Sequence, residues 1–210
     1  MTFEGFPEAA LDFYDDLELD NTKSFWQANK AVYDEAVATP MKALTAALEP
    51  EFGTAKIFRP YRDVRFAKDK SPYKTHQGAY VATGPSTGYY VQIGAAGVMV
   101  GVGYYEASSA RLAVIREAIS DDAHGAQLAG ILAELEDSGW TVGGETLKTA
   151  PRGYDVEHPR IALLRHKSLT VGREYGFDPV IHSPGLVDRV RDDWRTASPV
   201  LDWVAAHGTA

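Results

Sequence analysis

Between residues 79 and 105 the chain alternates short β-patterned runs with glycine turns, and this leaves few folds open. Residues 80–83, 89–93 and 98–105 are rich in tyrosine, valine and isoleucine, the types that suit a pleated, half-buried surface. The connections are a Gly84-Pro85-Ser86-Thr87-Gly88 cluster and a tight Gly94-Ala95-Ala96-Gly97 turn. Connections this short join antiparallel neighbours, because a parallel pair needs a crossover of a dozen residues or more. In the third run Val98, Val100, Val102 and Tyr104 share one face. Gly97, Met99, Gly101 and Gly103 share the other, where a backbone or a ligand can come close.

Helical spacing flanks this block on both sides. Leu11, Tyr14 and Leu17 fit one helix, which Pro7 opens; Phe25, Trp26, Asn29, Tyr33 and Val37 fit a second, capped by Thr22. Thr39-Pro40 predicts a kink or a fresh start before Met41, Leu44 and Leu48. After the strands, Ser108 or Ser109 caps a helix carrying Leu112, Ile115 and Ile119. A second, with Leu128, Ile131, Leu132 and Leu135, stops at Gly139. Residues 140–142 and 146–148 suggest a small hairpin about Gly143-Gly144. A last helix, opened at Ser183-Pro184, presents Leu186, Val187, Val190 and Trp194, and Pro199 interrupts it before Leu201 and Val204. The expected class is α+β: a central, mostly antiparallel sheet packed with N-terminal, middle and C-terminal helices, in a single α+β domain over residues 1–210.

Composition narrows the chemistry. The chain has no cysteine, which excludes a disulfide scaffold, a thiolate zinc site and a cysteine nucleophile. No apolar run approaches the roughly 20 residues of a membrane span, and the first seven residues carry no signal-peptide pattern, so no membrane partner and a cytoplasmic location are expected. The net charge of −8 is uneven. Residues 1–55 hold 3 Lys/Arg against 11 Asp/Glu, whereas residues 56–76 hold 7 against 2. A smaller basic island spans residues 152–173, with 5 against 2. An acidic chain repels nucleic acid at long range, so bulk DNA binding is disfavoured.

The first island carries Arg59, Arg62, Asp63, Arg65, Lys68, Asp69, Lys70, Tyr73, Lys74 and His76. Guanidinium groups are permanently charged and fit carboxylate or phosphate in a planar fork. Two unit charges about 4 Å apart repel by roughly 4 kcal/mol at an effective dielectric near 20, so crowded cations need counter-charge. Two sources stay open. Asp63, Asp69 and other acids can neutralise the set internally, or a ligand can. As an anion cradle, Arg62, Arg65, Lys70 and Lys74 donate, with Arg59 beside them. Asp63 orients an arginine, Tyr61 and Tyr73 supply hydroxyls or a stacking face, and the Ser71-Pro72-Tyr73 turn aims Lys70 and Lys74 to one side. His76 and Asp63 are the candidate proton handlers; beside so many cations His76 is expected to be neutral. The second island repeats the composition, and its Lys167 is expected to fold against residues 59–76 and complete one pocket.

The run Arg59-x-x-Arg62-Asp63-x-Arg65-Phe66-x-x-Asp69-Lys70-x-Pro72-Tyr73 resembles the signature of domain-of-unknown-function family 2461. So do the stretch from Phe6-Pro7 to Leu17, the helix with Phe25-Trp26, Asn29-Lys30 and Tyr33, and the segment from Pro151 through Tyr154 and His158-Pro159 to Lys167-Ser168. Ala67 departs from the small polar residue expected there. The resemblance implies one domain over the chain and no particular activity.

Other patterns are weaker. Asp155, Glu157 and His158 have ligand chemistry but read as caps of a turn, so neither a metal nor a cofactor is assigned. Gly101-x-Gly103 lacks the third glycine of a dinucleotide loop and lies among hairpins. Seven of eleven tyrosines fall between residues 61 and 105, as cross-strand packing or as an aromatic floor for a base or sugar. The functions that follow are a small-anion binding protein, which could be an enzyme, a single-strand nucleic-acid module, or an interaction protein whose basic segment is internally salt-bridged. The oligomeric state is not legible.

Overall fold

The computed structural model describes residues 2–65 and 68–208; Phe66 and Ala67 of the motif lie outside them. The fold is α+β, with a six-strand antiparallel sheet. The helices are α1 (Ala9–Leu19), α2 (Lys23–Val32), α3 (Thr39–Phe52), α4 (Ser109–Ser120), α5 (Asp122–Asp137), the short α6 (Ile161–Leu164) and α7 (Leu186–His207). The strands are β1 (Ala55–Ile57), β2 (His76–Gly84), β3 (Thr87–Gly94), β4 (Gly97–Tyr104), β5 (Thr141–Gly143) and β6 (Leu169–Gly176), in the order β1-β2-β3-β4-β6-β5. The chain divides into two compact units. One comprises Met1–Val81, Tyr90–Val100 and Glu174–Asp192, the other Ala82–Tyr89, Gly101–Arg173 and Asp193–Ala210.

In the first unit the helices bury the residues that helical spacing selects: Leu11, Tyr14, Leu17, Trp26, Val37, Met41, Leu44 and Leu48. Ala79, Val81, Val91, Ile93, Val98 and Val100 are buried on one face of its strands. Thr22 caps α2, its hydroxyl accepting from the Phe25 N–H at 3.2 Å. Thr39-Pro40 makes the fresh start expected of it, since α3 begins at Thr39 with Pro40 in its first turn, but Thr39 is not the N-cap and the backbone runs in without a break. A π-helical turn, Tyr33–Ala38, joins α2 to α3, and the Asp34 carbonyl accepts from both the N–H and, at 2.8 Å, the hydroxyl of Thr39. Widening the turn removes the clash that Pro40 would otherwise make with the carbonyl four residues back.

In the second unit Ser108 caps α4 and Asp121 caps α5. Ile115, Ile119, Leu128, Leu132 and Leu135 are buried, as are Val102, Tyr104, Leu169 and Val171 of the strands. Tyr89 stacks on Trp194 at 5.1 Å. Gly103 answers the glycine-face expectation: a Cβ there would strike the Leu169 carbonyl of β6. Two expectations are corrected. Residues 140–142 and 146–148 form no hairpin with each other, because β5 pairs with β6 (Thr141↔Gly172) and Thr146 bridges His166 instead. Pro199 lies inside α7, which runs on to His207. The Arg195 carbonyl, which a proline nitrogen cannot serve, accepts from the Ser198 hydroxyl at 2.9 Å.

Candidate functional site

On either side of residues 66 and 67, the two arms of the basic run 56–76 pair with each other and prolong the first two strands. β1 pairs with β2 through Ala55↔Val81 and Ile57↔Ala79, and the Phe58 N–H donates to the Gly78 carbonyl at 3.0 Å. Farther out Tyr61 faces Tyr73, with Arg62 N–H donating to the Pro72 carbonyl at 2.9 Å and Lys74 N–H to the Pro60 carbonyl at 2.8 Å. Between these ladders the register slips by two residues. The buried Gln77 side chain fills the gap. Its amide nitrogen donates to the carbonyls of Phe58 (2.7 Å) and Gly78 (2.9 Å), and its oxygen accepts from the Tyr33 hydroxyl. Pro60 and Pro72 bracket the outer ladder, where each needs only to accept.

The hairpin is anchored to the N-terminal helices. Tyr73 stacks on Trp26 with centroids 4.2 Å apart and planes 7° from parallel. Tyr61 lies 5.5 Å from Tyr73 and 6.1 Å from Trp26. Tyr73 is buried in this stack and Tyr61 is exposed at its edge; burial raises the Tyr73 pKa.

The predicted cations separate into two groups. At the hairpin tip the protein supplies its own counter-charge. Asp63 accepts from Arg65 Nε at 2.9 Å and from Nη2 at 2.6 Å, and Arg62 pairs with Asp69. Asp69 also accepts from the Ser71 N–H (2.9 Å) and hydroxyl (2.6 Å). Those Ser71 bonds, then Arg62, hold its carboxyl well below the usual range, and the Arg65 bonds lower the Asp63 pKa. Lys70 donates to the Val64 carbonyl at 2.9 Å, so the Ser71-Pro72 turn does not aim it alongside Lys74.

The second group sits nearer the sheet. Lys56 and Lys74 flank the Phe58 ring, their ammonium groups 5.7 and 5.1 Å from its centroid. Burial, then Arg59 and Lys56, depress the Lys74 pKa. Burial and the Lys74 charge depress that of His76, which favours the neutral ring near pH 7. Among the described residues none of Lys56, Arg59 and Lys74 makes a salt bridge. Lys56 was missed as a site residue: it lies 18 positions before Lys74, and only strand pairing unites them. Tyr90 completes this surface, 6.4 Å from Phe58, with its hydroxyl over Gly78 and donating to Gln92 Oε1 at 2.8 Å. Burial raises its pKa to about 12.

Lys167 lies in the other unit, where its ammonium pairs with Glu145. Asp155 accepts from the Glu157 N–H at 2.9 Å, and His158 Nδ1 from the Arg160 N–H at 3.0 Å, so both serve a turn. Among the described residues no three His, Asp or Glu side chains group as metal ligands, and no helix is long and apolar enough to cross a membrane.

Comparison with curated proteins gives no match. A family model described as conserved hypothetical protein (DUF2461) matches residues 9–203, nearly the whole chain. That span contains both basic islands and every element from α1 to the greater part of α7, so the chain belongs to the DUF2461 family.

Proposed function

We propose that this protein binds a small anionic ligand, bearing phosphate or carboxylate, on the surface formed by Lys56, Phe58, Arg59, Lys74 and His76. The supporting observation is Lys74: a half-buried ammonium beside two further cations, with no carboxylate paired to any of them among the described residues. Such a cluster costs stability in the empty protein, and an arriving anion offsets that cost. Phe58 adds a flat apolar floor under the two ammonium groups. His76 is the group suited to proton transfer at this surface if a bond is broken there. Lys167 is left out of the site, because Glu145 already neutralises it.

The test is a thermal-shift and calorimetric screen of inorganic phosphate, nucleotides and polycarboxylates. A ligand at 100 times its dissociation constant adds roughly 2.7 kcal/mol, which moves the melting temperature by several degrees. Binding that Lys74→Met or Arg59→Ala abolishes supports the assignment; no shift across the panel rejects it. Single-stranded DNA at 50 mM salt, repeated at higher salt, covers the nucleic-acid alternative, whose mark is a steep fall in affinity.

A structural reading is favoured for the hairpin tip. There Arg62–Asp69 and Arg65–Asp63 close locally, and ligand binding is expected to survive their removal.

A further inference from the structure

In the second unit the β2–β3 turn, α4 and the end of α7 line a cavity of about 390 Å³, a size at which small molecules are bound. Much of its lining is apolar, from Pro85, Tyr89, Leu201, Val204 and Ala205. One cation lines it as well, the half-buried Arg111. Arg111 Nε donates to the Gly208 carbonyl at 2.9 Å, Nη2 to the Thr87 hydroxyl at 2.8 Å, and Nη1 to the Pro85 carbonyl. Thr87 is buried and gives its own proton to the Pro85 carbonyl at 3.0 Å, which fixes its oxygen as the acceptor for Arg111. All three acceptors are neutral. The Tyr104 ring lies 5.9 Å from the guanidinium carbon, and Arg111 makes no salt bridge among the described residues. A guanidinium has five N–H groups and keeps its charge at any physiological pH. One N–H on each terminal nitrogen is therefore left over, and so is the whole charge.

That leftover charge selects the occupant. A half-buried cation without a counter-charge is costly, and a neutral apolar molecule leaves the cost in place. Asp202 also lines the cavity; it is exposed and makes no salt bridge with Arg111. It repels an anion in proportion to the anion's charge, so a phosphate dianion is penalised about twice as heavily as a carboxylate. A monocarboxylate on a hydrocarbon body brings one negative charge to Arg111 and lays apolar surface on Leu201 and Val204.

We propose that this cavity is a further binding site, which takes a small monocarboxylate with a hydrocarbon body, its carboxylate on Arg111 and its chain on Tyr89, Leu201 and Val204. The site does not depend on the anion surface of the first unit.

Calorimetry with hexanoate, hexanol and hexyl phosphate tests it. Hexanoate is expected to bind about tenfold tighter than hexanol, and tighter than hexyl phosphate. Arg111→Met should erase the advantage over hexanol. Asp202→Asn should tighten hexanoate, because a repelling charge is gone, and Ala205→Phe should block all three probes by filling the cavity. Asp202 and Ala205 are exposed, so those two variants carry the test if loss of the Arg111 contacts unfolds Arg111→Met. Excess inorganic phosphate, which occupies the anion surface of the first unit, should leave hexanoate bound. Hexanol or hexyl phosphate binding as tightly as hexanoate overturns the proposal, as does hexanoate affinity that ignores both Asp202→Asn and Ala205→Phe. Displacement by phosphate assigns hexanoate to the first unit; it overturns this site and leaves the anion surface standing. No hexanoate binding by protein shown by circular dichroism to be folded also overturns it.

Discussion

The side-chain amide of Asn21 pairs with both backbone groups of Tyr73, Nδ2 donating to its carbonyl and Oδ1 accepting from its N–H, each at 3.1 Å. Tyr73 faces Tyr61 at a position where its own N–H and carbonyl point away from the partner strand. Asn21, in the loop between α1 and α2, therefore acts as one residue of a missing strand and ties the basic hairpin to the helices. Asn21→Ala leaves two part-buried groups unserved and should cost about 1–3 kcal/mol. Urea denaturation reads the loss, and hydrogen exchange at the Tyr73 amide should quicken more than at Val91, deep in β3.

Lys74→Met should stabilise the empty protein. The folded pKa of Lys74 lies below its unfolded value, so its charged form carries a penalty in the folded protein. Methionine keeps an apolar stem over Phe58 without the charge. A raised urea midpoint together with lost anion binding is the expected outcome; a lowered midpoint would show that Lys74 serves the fold.

His76 gives a pH dependence of the opposite kind to a salt-bridged histidine. Its folded pKa is depressed below 6.5, so between the two values the unfolded chain binds more protons. Stability should fall as pH drops below about 6.5, the ordinary histidine value, well before Asp63 and Asp69 titrate. His76→Gln should flatten the melting temperature between pH 7.5 and 5.5.

Gly97 cannot carry a side chain. Its φ is +96°, and a Cβ would strike the Gly176 carbonyl of β6. Gly97→Ala should cost about 2 kcal/mol or more, measured by chemical denaturation.

Charge reversal at the hairpin tip separates fold from function. Arg65 is 77% exposed, and its pairing with Asp63 is local. Exposed pairs contribute little because water screens them. Arg65→Glu should melt with the parent protein, and phosphate affinity should change far less than in Arg59→Ala. Collapse of the fold would mean that the tip is a structural clamp.

Much of the α+β architecture is legible from local pattern. The alternation at Val98, Val100, Val102 and Tyr104 places all four in the interior, and the stripes at Leu11–Leu17 and Met41–Leu48 do likewise. Thr22 and Ser108 cap as their side-chain chemistry predicts. Pro40 marks the start of α3 as its place predicts, whereas Pro199 misled, since it removes a donor but does not end a helix when a neighbouring hydroxyl serves the orphaned carbonyl.

The sequence by itself determined that cations would crowd between residues 56 and 76, and that two aspartates would stand among them. Only the tertiary structure decided which cations those aspartates satisfy. Asp63 and Asp69 sit at the tip, and carboxylates reach only a few ångströms, so they claim Arg62 and Arg65. Strand pairing with a two-residue slip brings Lys74 back beside Lys56 and His76, a group with no salt bridge among the described residues. Register is a long-range property, fixed by Gln77, Asn21 and the Trp26–Tyr73 stack, and no spacing within the basic run encodes it.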